Sequence, residues 1–262
     1  MSIIKLSDSI KFNGVDITSV NGWTTTATNP NRFGNDVQNY GLSYSDDTTT
    51  TSAFLTRKNV NINGVIAVSG RELLETSISD LKRIVKGVNK DLIIPVSGEQ
   101  RLYRRATIAN ISIMKIAGGY AEIELEFTVG DPYNYSQTNT EVLNRVNATS
   151  GNQSYPVIFA GTANQLPVFT YTVDALNPTL SQVDVTISNP TTGDYITISR
   201  AWAVADVAVI DTLNRTVTVN DEAFDFAGRF PAWEQGAGFI NYTDQFTSRQ
   251  FDLNVVYAKR YE

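Results

Sequence analysis

The chain has 262 residues, a net charge of −6 and 42% hydrophobic content, so it is long enough to bury one large or two ordinary cores and is neither fibrous nor disordered. It contains no histidine and no cysteine. That excludes imidazole bases, thiol nucleophiles, disulfides and structural zinc, whereas carboxylate-only chemistry such as glycoside hydrolysis or calcium binding survives. Residues 1–20 read as a short hairpin turned by Asn13-Gly14. Residues 21–52 are rich in Thr, Asn and Asp, and read as a long exposed loop or β-excursion with its tip at 46–52. Strand-like patterning returns over 53–70 around a second Asn-Gly pair, Asn63-Gly64. Residues 77–86 predict a helix, with Ser77 as N-cap, a stripe of Ile78, Leu81, Ile84 and Val85, and Gly87 at its end. A short strand over 100–103 follows, then a hairpin of 106–116 with 120–129 through Ala117-Gly118-Gly119. The polar stretch 139–154 reads as a linker. From 155 to 262 everything reads as short strands punctuated by turns, the signature of a β-sandwich.

Charge is unevenly placed. Residues 1–138 hold 14 basic and 14 acidic side chains, whereas 139–262 hold 7 and 13. An acidic chain does not hold DNA by neutralising phosphates, but its surface lets DNA pass without sticking. No leader peptide and no run of about 18 apolar residues is apparent.

Three side-chain groups stand out. In residues 120–129, Ile123, Leu125, Phe127 and Val129 alternate with Glu122, Glu124 and Glu126, which separates a buried face from an acidic one. Asp131-Pro132 then stops the strand. The glutamate row is read as a wet sheet face or the lining of a channel in a ring. Arg101, Arg104 and Arg105 surround Tyr103 and read as an intersubunit or strand-edge charge cluster, with nucleic-acid contact the alternative. Trp202, Trp233 and Tyr242 read as core aromatics or, alternatively, as a platform for glycans. The scattered acids of the second half form no calcium-loop pattern, and no phosphate-binding glycine loop or Gly-x-Ser-x-Gly elbow is present.

Six segments in order carry a family resemblance. They are Lys11-Phe12-Asn13-Gly14-Val15-Asp16, the helix followed by the arginine strand, the close Phe127-Thr-Val-Gly-Asp-Pro132-Tyr133, Tyr155-Pro156-Val157-Ile158 with Ile187-Ser-Asn-Pro-Thr-Thr-Gly-Asp, Ile210-Asp211-Thr-Leu-Asn-Arg-Thr-Val-Thr-Val-Asn, and Arg229-Phe230-Pro231 through Gly236. Together they resemble the distal tail proteins of long-tailed siphophages. Trp233 and Gly238-Phe239 depart from that family's pattern.

The resemblance implies a mainly β protein. Residues 1–138 would be an α+β, tail-tube-like ring domain, 139–154 a linker, and 155–262 a galectin-like β-sandwich. It implies a homo-hexameric structural protein rather than an enzyme, without a cofactor. The ring would join the tail tube to the hub and dock receptor-binding or side-fibre proteins. Its bore, lined by Glu122, Glu124 and Glu126, would pass DNA. The chain would be assembled in the host cytoplasm and reside in the virion tail tip. The rival reading is a carbohydrate-binding module that recognises host surface glycans. A carboxylate-only glycosidase is the third, with no residue pair to nominate.

Overall fold

The alternation that dominates the sequence organises two compact units, 1–134 and 135–262. The computed structural model describes residues 9–33, 58–96, 98–176 and 182–261.

In the first unit, β1 (Lys11–Phe12) and β2 (Val15–Asp16) form a hairpin. Asn13 and Gly14 both take positive φ, as the two-residue turn requires. Five longer elements share the sheet: β3 (Trp23–Phe33), β4 (Lys58–Ala67), β5 (Lys90–Val96), β6 (Glu99–Ala117) and β7 (Tyr120–Val129). Every pairing is antiparallel, in the order β2-β1-β5-β6-β7-β4-β3. Helix α1 (Arg71–Ile84) covers one face. Its Leu74, Ile78 and Leu81 join Val60, Ile62, Leu92, Ile94, Ile123, Leu125 and Phe127 in one core.

Three local expectations are corrected here. The helix begins at Arg71, after Gly70, and Ser77 is buried within it rather than capping it. Leu74 extends the apolar stripe one turn towards the N-terminus, and that burial sets the start. Asn63-Gly64 is not a turn but lies inside β4. A Cβ at Gly64 would come 2.3 Å from the Trp23 indole, so the glycine makes room for a ring laid across the strand. The strand over 100–103 and the first arm of the hairpin are one strand, β6, bulged where Arg104 and Arg105 together oppose Asp91. Residues 23–33 take the β-excursion reading; the rest of that segment, including the tip at 46–52, lies outside the described residues.

The second unit is built from eleven strands: β8 (Asn134–Ala148), β9 (Asn152–Phe159), β10 (Val168–Leu176), β11 (Val183–Ser188), β12 (Tyr195–Arg200), β13 (Val207–Asp211), β14 (Thr216–Val219), β15 (Glu222–Ala223), β16 (Ala227–Gly228), β17 (Gly236–Asp244) and β18 (Arg249–Tyr261). One layer runs β15-β14-β13-β10-β18-β8 and the other β16-β12-β11-β17-β9. Inward residues of both layers, among them Phe159, Phe169, Tyr171, Ile187, Ile198, Tyr242, Phe251 and Leu253, make a single core. This is a two-layer β-sandwich. The stretch expected as a linker over 139–154 is instead most of β8, a turn and the start of β9. Its polar residues face solvent, while Leu143 is buried and Val142 and Ala148 pack on the core.

Candidate functional site

On β7 the buried side chains Ala121, Ile123, Leu125, Phe127 and Val129 face the helix side. Glu122, Glu124 and Glu126 therefore share the opposite, helix-free face. They are half-buried by their neighbours on the sheet. Asn61 Nδ2 donates to Glu124 Oε1 at 3.0 Å, Asn59 Nδ2 to Glu126 Oε1 at 3.3 Å, and the Tyr120 hydroxyl to Glu122 Oε1 at 3.1 Å. In register, Asn110 and Ser112 of β6 oppose Glu126 and Glu124. Amides and a hydroxyl thus orient the carboxylates. In the same register Lys115 of β6 opposes Glu122, so the three carboxylates share their face with one cationic residue of the facing strand.

The arginines are divided by the bulge. Arg105 sits at φ 56 and is exposed, and the Gly130 N–H donates to its carbonyl at 3.1 Å. Arg101 and Arg104 are half-buried, and Tyr103 between them is fully buried. Burial pushes the Tyr103 phenol up to about 12, partly offset by the Arg101 charge. A stacking platform needs an accessible ring, so Tyr103 cannot be part of one.

The glycan-platform reading of Trp202, Trp233 and Tyr242 is corrected by their burial: they are 9%, 2% and 0% exposed. All three point between the layers. Trp202 Nε1 donates to the Val183 carbonyl at 3.0 Å, and Trp233 Nε1 to the Phe239 carbonyl at 2.9 Å. Tyr242 stacks on Phe251 and Tyr171 at ring separations of 4.3 and 5.7 Å. Its hydroxyl donates to Asp244 Oδ2 at 2.6 Å, and Arg249 Nε lies 2.8 Å from Asp244 Oδ1. Burial, together with Tyr171 and Asp244, pushes the Tyr242 phenol far up. Burial also raises the Asp244 carboxyl, against the pull of its hydrogen bonds and of Arg249. This is a packed ion-and-hydroxyl network that pins the turn between β17 and β18 to the core.

One carboxyl pair escaped the sequence reading. Burial, and after it the neighbouring Asp252 carboxyl, pushes the Asp174 carboxyl up. The two lie on adjacent strands, where only the pairing of β10 with β18 brings them together. Among the described residues no group of three potential metal ligands occurs, and no helix is long and apolar enough to cross a membrane.

Residues 160–261 match the family model described as the siphovirus-type tail component, C-terminal domain. No curated protein matches the chain by sequence. The crystal structure of the Dit protein of phage SPP1, described as a paradigm of the hub adsorption apparatus in phages infecting Gram-positive hosts, superposes with a TM-score of 0.66. The match covers 97% of this chain and 99% of that one, at 13% sequence identity. At that identity the similarity speaks for the fold across both units, and the family model speaks for the second. Residues 160–261 thus match a siphovirus-type tail component domain, and the chain shares its fold with the SPP1 Dit protein.

Proposed function

We propose that the chain is a structural protein of the distal end of a phage tail, six copies of which close a ring that joins the tail tube to the hub. The observation that carries this reading is the fold match over 97% of the chain to a hub protein of an adsorption apparatus. The first unit, residues 1–138 in this reading, forms the tail-tube-like ring, and the sandwich of 155–262 is its galectin-like outer domain. The row Glu122, Glu124 and Glu126 lines the bore. Its support is the helix-free position of that face and an amide lattice that orients the carboxylates.

Arg105, presented by the bulge, contacts a neighbouring subunit, with Arg101 and Arg104 beside it. A closed ring also lets end strands of the first sheet pair between neighbouring subunits. The sandwiches dock receptor-binding or side-fibre proteins, and the protein is assembled in the host cytoplasm before joining the virion. No step of this function calls for catalysis.

Sedimentation and negative-stain imaging of the purified full chain test the ring. Six-membered rings with an open centre are expected, and closed particles of another symmetry would contradict the proposal. Glycan recognition loses its proposed platform with the burial of Trp202, Trp233 and Tyr242.

A further inference from the structure

The outward face of the β9 layer is mostly hydroxyls and amides. Ser154, Asn241, Ser188 and Tyr195 form one cross-strand row, and Asn152, Thr243, Thr186 and Thr197 the next. One corner breaks the pattern. Pro156 opposes Phe239 and Ile158 opposes Ala237, so four apolar residues occupy adjacent outward positions. Ile158 is 73% exposed and Phe239 50%. Single exposed apolar residues are ordinary, but a contiguous set beside a groove is not. Here the groove is open, about 520 Å³, and is completed by Glu141 and Val142 from β8.

We propose that this corner is a docking surface for another protein of the tail tip, which inserts an apolar side chain flanked by a lysine or arginine. The inference rests on the tail-tip reading above and names the surface and the chemistry of its partner. Three observations select that occupant. First, β9 is the last strand of its layer, yet Pro156 has no N–H to offer an added strand, so docking runs through side chains rather than strand pairing.

Second, Glu141 sits on the groove rim and accepts only neutral donors, Asn254 Nδ2 at 2.7 Å and Asn144 Nδ2 at 3.2 Å. No lysine or arginine pairs with it among the described residues. A partner cation would meet an uncompensated carboxylate. Third, residues 139–262 hold 7 basic and 13 acidic side chains, so a second copy would bring two negative bodies and two Glu141 carboxylates together.

The test uses full-length chains supplied in infected cells to a phage lacking its own copy, with the protein content of purified virions read by quantitative mass spectrometry. Ile158→Asp, Phe239→Ser and Glu141→Lys change exposed side chains, and each purified variant should melt with the wild type. All three are expected to enter tails at the wild-type copy number, while the same tail-tip protein falls at least about tenfold. An unchanged virion composition overturns the proposal. So do folded variants that fail to enter tails, a wild-type dimer in sedimentation that Ile158→Asp dissolves, or binding to a host cell-wall polysaccharide that Phe239→Ser abolishes. Absence of the wild-type chain from tails would instead overturn the underlying tail reading.

Discussion

Tyr103 and Tyr242 are both buried phenols, but they behave oppositely. The Tyr103 hydroxyl has no hydrogen-bond partner among the described residues, whereas that of Tyr242 meets Asp244 and Tyr171. Removing an unsatisfied hydroxyl removes a desolvation cost; removing a satisfied one strands its partners. Tyr103→Phe is therefore expected to unfold in urea at the wild-type midpoint or above it. Tyr242→Phe should lose about 1–3 kcal/mol. A midpoint lowered by Tyr103→Phe would contradict this assignment.

The same burial sets an alkaline limit. Tyr103 ionises at about 12 in the fold against about 10 in the open chain, so its contribution is complete below pH 10 and lost as pH rises through 12. Tyr171 and Tyr242 are shifted in the same direction. Urea midpoints should hold to about pH 10 and then fall steeply. Tyr103→Phe should soften that fall by about 2–3 kcal/mol.

The elements legible from sequence are those whose pattern is local. The alternation of β7, the Asn13-Gly14 turn and the main stripe of α1 all lie within a dozen residues and emerge as read. What escaped depends on distant partners. Gly64 looks like a turn residue until Trp23 is laid over it, and β8 looks like a linker until its pairing with β18 is seen. Trp202 and Trp233 are aromatic in any reading; only the strands around them decide that they face inward.

Gly64→Ala drives a methyl into the Trp23 ring and should cost about 1–3 kcal/mol in urea unfolding, with a change in tryptophan fluorescence. The glutamate row makes its prediction at this scale too. Replacing Glu122, Glu124 and Glu126 together by lysine inverts the face without touching the core. Tails should still assemble, but dye-monitored DNA ejection should slow, because phosphate would then be attracted there. Ejection at the wild-type rate would remove these residues from the bore.

At the level of the whole molecule, the lack of histidine and cysteine excludes imidazole and thiol chemistry, and six motifs in order resemble those of phage tail proteins. The family model matches residues 160–261, and the fold match extends the likeness over 97% of the chain. The division of labour follows from the two units. In the proposed account the helix-backed sheet forms the ring around passing DNA, and the sandwich with its apolar corner holds other proteins. Cryo-electron microscopy of intact virions tests this account most directly. Six copies of the chain at the distal end of the tail tube, with Glu122, Glu124 and Glu126 on the lumen wall, are the predicted result. The chain found elsewhere in the particle, or a ring with that face turned away from the lumen, would contradict it.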